Sequence, residues 1–539
     1  MKFYFAHGHT TKQSTRYRAR PMAMAAAVAR RLLRLLSSRP NPKPASLSSC
    51  SSPSPSFDTP ATAGEREGDP LSWRLLRLRS PGAAAAAIDR WAQERGRVSR
   101  PDLQRAVSQL RRARRYGHAL EILSWMDSRK EIKLLPLDHA ARLDLIAKVH
   151  GTSQAEEYYN KLPNSASREA ASFPMLHCYV SERNVQKAES FMASLQSIGL
   201  PVDPHSFNEM MKLYVATCEY EKVFSVIDLM KRNNIPRNAL SYNLWMNACS
   251  VSDVTSVQSV FKEMVNDGTI EVGWSTYCTL ANIFMKHGLN SKAFACLRTA
   301  EKKLSTAQRL GYSFVMTCYA ALGDSDGVMR LWEASKCVPG RIPSANYMSA
   351  ILCLIKVGDI DRAEWIFGSW EVECRKHDVR VSNVLLGAYV RNGWIEKAEK
   401  LHLHMLEKGG RPNYKTWEIL MEGFVQSRQM DKAVNAMKKA LSLMKGCHWR
   451  PPLRLVEAIA TFFEEQGNTD DANRYIKVLQ KFNLTSLPLY KSVLRAYIKA
   501  DTMLPTNISE MIARDDIVMD EEMDHLIIRA SKIDITGNV

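Results

Sequence analysis

The sequence predicts an all-α protein, a right-handed superhelical solenoid of about 11 to 12 helical hairpins with a repeat length of 35 residues. Two columns of residues predict it. An aromatic residue recurs every 35 positions, at Phe207, Tyr242, Tyr277, Tyr312 and Tyr347. Sixteen residues later stands a second column, small and apolar except for Gln258, which comprises Val223, Gln258, Ala293, Val328, Ala363, Ala398 and Ala433. No interior run alternates apolar and polar residues as a half-buried strand does, so no sheet is expected.

Residues 1–57 precede the repeats and have the composition of an organellar transit peptide. They contain ten Lys or Arg residues and no Asp or Glu. Arg30, Arg31 and Arg34 fall on one face of a short helix whose remainder is rich in leucine. The arginine-rich amphipathic character favours a mitochondrial destination, and the Ser- and Pro-rich sequence that follows leaves the chloroplast as the alternative.

The rest of the chain divides into a linker, a repeat array and a tail. Residues 58–98 are predicted as a linker and an N-terminal capping helix. The array is expected over residues 99–500, with units that begin near residues 100, 136, 169, 204, 239, 274, 309, 344, 379, 414, 453 and 487. Seven consecutive intervals, from 169 to 414, are each 35 residues long. Residues 501–539 carry nine acidic and three basic side chains and are predicted as an acidic tail or cap.

Each unit repeats the same order of parts. A first helix with apolar residues at helical spacing is followed by a turn that often contains glycine, as at Gly358 and Gly393. A second helix then begins with an acidic or polar residue and places a small residue at the predicted helix crossing, as in Glu396-Lys397-Ala398. Acidic residues in the first turn interact favourably with the helix dipole.

The charge distribution gives only weak evidence for a nucleic-acid partner. The net charge is +18, but residues 1–57 alone supply +10 of it. Residues 136–500 carry only about +8, so the predicted array is mildly basic. The eleven cysteines contain no CxxC pair, and several of them share one apolar helix position of the repeat (Cys178, Cys318 and Cys353), which indicates structural thiols.

The motifs of several enzyme classes are missing from the sequence. There is no HExxH, Walker A or GxSxG motif, and no H-x-E with C-x-x-C spacing for a zinc deaminase. We therefore predict a non-enzyme with no catalytic residues, no metal, no cofactor and no small-molecule substrate. No run of 18 apolar residues occurs, so no membrane span is expected.

The repeat consensus resembles a known family. The unit opens with Ser241-Tyr242-Asn243, contains Lys397-Ala398-Glu399 in its second half, and closes with a Gly/Pro segment from Gly409 to Asn413. This pattern is similar to the pentatricopeptide repeat, and the uninterrupted 35-residue spacing resembles its P class of plant organellar members. The resemblance covers residues 100–500 or so. The tetratricopeptide repeat has 34-residue units and a different consensus.

The resemblance implies sequence-specific binding of single-stranded organellar RNA, in transcript processing, splicing, stability or translation. In that family the fifth and last residues of each unit face one base. The strongest pairs implied here are Asn208 with Asn238, Asn243 with Gly273, and Asn383 with Asn413. Weaker RNA-facing candidates are Phe173 with Asp203, Met348 with Asp378, and Ser313. The implied footprint is 5′-YYnnnY-3′, where Y is a pyrimidine and the strand runs parallel to the chain.

Two alternatives stay open from the residues alone. An Asn near a helix start is also a good cap, so each Asn has a purely local interpretation. The sparse set of readers and the mildly basic array favour, as a second hypothesis, a protein-binding scaffold such as a ribosome-associated component.

Overall fold

The computed structural model describes residues 71–531 except 79, 81, 96–97, 130, 198–202, 444–448, 503 and 516. The predicted transit peptide and the first part of the linker lie outside the described residues. Residues 71–303 belong to one compact body and residues 304–531 to a second. All regular secondary structure in the described part is helical, which confirms the predicted all-α class.

The first body contains fourteen helices among its described residues. They are α1 (Leu71–Arg77), α2 (Ala83–Arg95), α3 (Arg100–Arg112), α4 (Tyr116–Ser128), α5 (Pro136–His150), α6 (Thr152–Asn160), α7 (Ser165–Glu182), α8 (Val185–Ser197), α9 (Pro204–Thr217), α10 (Tyr220–Arg232), α11 (Ala239–Cys249), α12 (Val254–Asn266), α13 (Trp274–Lys286) and α14 (Asn290–Lys302).

The second body contains thirteen helices among its described residues. They are α15 (Leu310–Leu322), α16 (Ser325–Lys336), α17 (Ser344–Val357), α18 (Ile360–Glu373), α19 (Val379–Arg391), α20 (Ile395–Glu407), α21 (Tyr414–Gln426), α22 (Met430–Ser442), α23 (Leu453–Gln466), α24 (Thr469–Lys481), α25 (Leu487–Lys499), α26 (Thr506–Arg514) and α27 (Glu521–Ser531).

Helices pair into hairpins, and the hairpins stack through their first helices. In the first body α7, α9, α11 and α13 pack successively, and in the second body α15, α17, α19, α21, α23, α25 and α27 do the same. Each unit buries its apolar face against its neighbours, as expected of a repeat protein. No helix in the described segments is long and apolar enough to cross a membrane.

The predicted unit starts agree with the observed first helices, with one clear difference. Helices α9, α11, α13, α17, α19, α21, α23 and α25 begin at the predicted residue, and α15 begins one residue later than predicted. Helix α7, however, begins at Ser165 rather than near residue 169. The side chain of Asn164 accepts a hydrogen bond from the backbone N–H of Ser167, and this N-cap extends the helix by a full turn.

The column of small residues lies at the helix crossings, as predicted. Val223, Ala293 and Ala398 have no exposed surface. The one outlier, Gln258, is half-buried, and the fully buried side chain in its unit is Val257. Helix α12 begins one residue earlier in its unit than α10 or α14 does, so the crossing position moves from Gln258 to Val257.

The segment expected as an acidic tail or cap contains two helices, α26 and α27. Helix α27 packs against α25 in the manner of a further first helix. The Tyr490 hydroxyl donates to Asp515 Oδ2 at 2.7 Å, which ties the start of α25 to the end of α26. The equivalent Tyr242 donates in the same way to Asp267, which also lies 25 residues later in the chain.

Candidate nucleic-acid interface

In most units the residue that closes the unit is the N-cap of the next unit's first helix. Asp203, Asn238 and Asn413 each accept hydrogen bonds from backbone N–H groups in the first turn that follows. Gly273 stands at the same place before α13 without a side-chain cap. The local capping role is therefore present, and it fixes the orientation of these side chains.

Asn208 and Asn238 form the first pair that the structure brings together. Asn208 Nδ2 donates to Asn238 Oδ1 at 3.2 Å. The Ser241 hydroxyl donates to Asn208 Oδ1 at 2.8 Å, so the fifth residue of one unit is linked to the cap of the next. Asn208 is only 1% exposed, whereas Asn238 is half-buried and carries the more accessible amide.

Asn383 and Asn413 repeat this geometry in the second body. Asn383 Nδ2 donates to Asn413 Oδ1 at 3.3 Å. Thr416 stands where the first pair has Ser241, but its hydroxyl donates to Asn413 rather than to Asn383. Asn383 Oδ1 is consequently buried with no hydrogen-bond partner among the described residues. The second pair therefore contains an unsatisfied buried acceptor, which the first pair lacks.

Asn243 is the third strong candidate, and its partner position is Gly273. Because glycine has no side chain, Asn243 lacks the cap-to-reader hydrogen bond of the other two pairs. Within the described part of the chain, Asn243 Oδ1 and the Thr276 hydroxyl are both buried without a partner. Two polar atoms of adjacent units are thus buried without a partner where the other pairs have a cap side chain.

The weaker candidates are not joined in this way. Asp203 caps α9 through the backbone N–H of Ser206 at 2.8 Å, and Phe173 contacts the rings of His177 and His205 instead. The Ser313 hydroxyl accepts from Asn346 Nδ2 at 3.1 Å.

Asp378 is held by its own helix rather than by Met348. Its carboxylate forms an ion pair with Arg380 at 2.6 Å, and the hydrogen bonds from Arg380 lower the pKa of Asp378.

Two other fifth-position residues, Glu418 and Lys491, form ion pairs within the protein. Glu418 accepts from Lys415 Nζ at 2.5 Å and from Trp449 Nε1 at 2.9 Å. Lys491 Nζ lies 2.6 Å from both Asp520 and Glu522. These side chains already have charged partners, so the last units of the second body lack the neutral amide pair.

Exposed cations also recur at one position of the second body, a feature that the sequence analysis missed. Four residues lie three positions before a first helix and have no acidic partner in the described segments: Arg341, Lys376, Arg411 and Arg450. The signal was present in the sequence as a basic residue in four successive inter-unit loops. Such side chains can bind phosphate.

The two arrays of stacked hairpins define an α-helical repeat protein. The PPR repeat model matches residues 381–410, and the pentatricopeptide repeat domain model matches residues 190–251. A pentatricopeptide repeat-containing protein of Arabidopsis thaliana is 49% identical over 429 residues, which cover 78% of this chain and 87% of the relative. This chain belongs to the pentatricopeptide repeat family.

A second curated relative and one solved structure are also similar to this chain. A mitochondrial pentatricopeptide repeat-containing protein of Arabidopsis thaliana is 33% identical over 470 residues, 87% of each chain. The crystal structure of the pentatricopeptide repeat protein PPR10 from maize aligns with a TM-score of 0.44 at 16% identity, covering 85% of this chain and 65% of the maize chain.

Proposed function

We propose that this protein binds single-stranded organellar RNA in a base-selective manner and acts in transcript processing, splicing, stability or translation. One observation carries the proposal. A fifth-position Asn is hydrogen-bonded to the Asn cap of the next unit in each body, at 208/238 and at 383/413. Two amides fixed side by side offer donors and acceptors at the spacing of a base edge.

The hydrogen-bonding capacity of the pairs fits a pyrimidine. At the first pair, Asn208 Oδ1 already accepts from Ser241, and the hydrogen bonds that Asn238 forms within the protein go to its Oδ1, which leaves its Nδ2 as the donor for a base. Cytosine presents two acceptors, O2 and N3, and uracil presents O2 and O4. At the second pair Asn383 Oδ1 is buried without a partner, and rotation of the side chain would let it accept from an amino or imino group of the base.

The cations in the inter-unit loops supply the electrostatic part of binding. Lys376 and Arg411 lie two residues before Asp378 and Asn413, so they share a loop with the capping positions. Phosphate contacts from such side chains add affinity without base preference, and they make binding weaken as salt rises. The base preference then rests on the amide pairs.

A salt-dependent gel shift with 5′-YYnnnY-3′ and scrambled RNAs tests the proposal. Wild-type protein is expected to prefer the matched RNA and to lose affinity with salt. The double change Asn208→Ala with Asn243→Ala should reduce the preference for matched over scrambled RNA. Equal binding of both RNAs by the wild type would contradict base-selective recognition.

A matched control separates base reading from helix capping. Asn468 caps the second helix α24 by accepting from the backbone N–H of Asp471 at 3.0 Å, and it occupies no fifth or last position. Asn468→Ala and Asn238→Ala should each cost a helix-cap energy of about 0.5–2 kcal/mol. Asn468→Ala should leave the discrimination between matched and scrambled RNA unchanged.

We further propose a mitochondrial location, with the chloroplast as the alternative. The basic, acid-free residues 1–57 support it, and the 33% identical relative is named as mitochondrial. Expression of the full chain with a C-terminal fluorescent tag tests this. Removal of residues 1–57 should leave the tagged protein outside the organelle.

A protein-binding scaffold is the second candidate, and exposed apolar side chains of the second body favour it. Trp365 and Val372 on α18 are 52% and 88% exposed, and Leu403 on α20 is 58% exposed. A partner on this surface would be lost on Trp365→Ser with Leu403→Ser, while RNA binding would be retained.

A further inference from the structure

Three aromatic side chains cluster on the adjacent first helices α7 and α9. Phe173 and His177 lie one helical turn apart, with ring centroids 6.5 Å apart and planes inclined by 16°. His205 stands almost perpendicular to Phe173, at 6.4 Å and 79°. Phe173 and His177 are partly exposed and His205 is exposed, so the cluster is reachable from solvent.

Phe173 takes no part in the apolar core that surrounds α7 in the described structure. The neighbouring Met175 and Leu176 are completely buried in that core. Phe173 is not part of that core cluster, and the ring contacts it makes in the described structure are with the two histidines. Core packing therefore does not account for a phenyl ring at this position.

A buried carboxylate holds the histidine of the cluster in place. Glu209 is 2% exposed; His177 Nδ1 donates to its Oε2 at 3.3 Å and Lys212 Nζ to its Oε1 at 2.6 Å. Burial by itself raises the pKa of Glu209, but the hydrogen bond from His177 and the charge of Lys212 outweigh it and lower that pKa. A charge this deeply buried needs its partners, so the His177 ring is fixed beside Phe173.

The position of Phe173 in the repeat indicates what the aromatic cluster could bind. Phe173 precedes Asn208 by one repeat of 35 residues and so occupies the fifth position of its unit. A phenyl ring cannot form hydrogen bonds to a base edge. Its face can stack on any base, since every base has a π-face.

We propose that Phe173, braced by His177 and Glu209, is a nucleobase-stacking site that takes one nucleotide without regard to its identity, next to the nucleotide read by Asn208 and Asn238. This inference rests on the proposed RNA-binding function. His205 forms the wall of the site on one side. The site anchors the RNA beside the first selective pair, and it makes the nucleotide on the 5′ side of the footprint indifferent to sequence.

Photocrosslinking of the full-length protein tests the site. RNAs of the footprint sequence, extended at the 5′ end by at least one nucleotide, carry 5-iodouridine at one position at a time, and the crosslinked residue is identified by mass spectrometry. We expect Phe173 to crosslink to the nucleotide next to the one whose identity matters to Asn208. Phe173→Leu keeps an apolar side chain and removes the ring, so it should abolish this crosslink and weaken all RNAs alike, by about 5- to 100-fold.

Two further variants make the outcomes decisive. Phe173→Trp keeps a stacking ring and should retain both affinity and crosslink. Phe261→Leu removes a partly buried ring from the second helix α12 and should leave RNA binding unchanged. Thermal melting by circular dichroism confirms that each variant is folded.

The results separate this inference from the proposed function. If the wild type binds RNA with base preference and Phe173→Leu binds it equally well, the proposal of a stacking site is wrong and the proposed function stands. The same holds if Phe173→Leu alters the preference among bases at one position instead of lowering all affinities. If the wild type binds no RNA, the proposed function fails and the stacking site fails with it.

Discussion

Asn208 donates a hydrogen bond from Nδ2 to Oδ1 of Asn238 at 3.2 Å, although 30 residues separate the two along the chain. Stacking of α9 against α11 brings the fifth residue of one unit beside the cap of the next. The cap is required by the helix in any case, because its first backbone N–H groups need acceptors. A structural element of the repeat thereby becomes half of a candidate recognition pair.

The first prediction concerns the identity of the cap. Asn238→Asp keeps an N-cap of equal quality but replaces an amide, which donates and accepts, by a carboxylate, which only accepts. Cytosine N3 needs a donor and uracil N3–H needs an acceptor. We therefore expect the preference at this base to move from cytosine towards uracil by about 1–2 kcal/mol, roughly tenfold in affinity.

Competition binding with two RNAs that differ at this single base measures the change. Asn164→Asp is the control, because Asn164 caps α7 in the same way and has no Asn at the fifth position before it. An unchanged ratio in Asn238→Asp would show that the cap does not face the base.

The fold was predictable because its signals are local and repeated. Caps, turn glycines and the small crossing residues each lie within one unit, and Gly358 illustrates this with φ +93° at the end of α17, a conformation natural to glycine. The Val257 crossing was not predicted, since it follows from an early start of α12. Asp253 sets that start by accepting from the backbone N–H of Ser256 at 2.6 Å.

The candidate site was predictable only as a set of positions. The sequence places Asn208 and Asn383 at the fifth position. It contains no sign that Ser241 donates to Asn208 Oδ1 while Thr416 leaves Asn383 Oδ1 without a partner. The ion pair between Lys491 and Glu522 joins two different helices, α25 and α27, and no local sequence pattern predicts it. Contacts between units depend on stacking geometry, which a single unit does not encode.

The second prediction concerns pH. The pKa of Glu209 in the folded protein lies below its ordinary value of 4.5, because His177 and Lys212 bond to its carboxylate. A lowered folded pKa adds stability above the unfolded pKa and loses it as pH falls. Stability from this group should thus be complete at pH 7 and decline as pH falls below about 4.5.

Glu209→Gln should lower the free energy of unfolding by about 1–3 kcal/mol at pH 7 and by much less at pH 3.5. Urea denaturation followed by circular dichroism at the two pH values measures this. Glu271→Gln, at an exposed residue of the same body, should show no such difference. Equal losses at both pH values would contradict an ionised, paired Glu209.

The third prediction concerns the docking of α27. Glu522 lies 2.6 Å from Lys491 and 2.5 Å from Arg495, both on α25. Glu522→Arg places a third cation beside these two, and like charges at such distances repel. We expect α27 to detach and hydrogen exchange of residues 521–531 to accelerate.

Glu521→Arg provides the matched reversal, because Glu521 is exposed and has no ion-pair partner among the described residues. Hydrogen exchange by mass spectrometry should find α27 protected in Glu521→Arg and exposed in Glu522→Arg. Equal protection in both variants would mean that apolar packing, through the buried Met523, holds the helix without the ion pairs.

The fourth prediction compares two helical glycines of the second body. A Cβ on Gly423 would lie 2.7 Å from Ile395 Cδ1 and 2.9 Å from Val390 Cγ2, so α21 can approach α19 and α20 only with glycine there. A Cβ on Gly368 of α18 meets nothing within 4 Å. Gly423→Ala should destabilise by about 1–3 kcal/mol through overpacking, whereas Gly368→Ala should stabilise by about 0.5–1 kcal/mol through helix propensity. The midpoint of chemical denaturation should therefore shift in opposite directions for the two variants. A shift in the same direction would show that the close approach at Gly423 does not limit the packing of these helices.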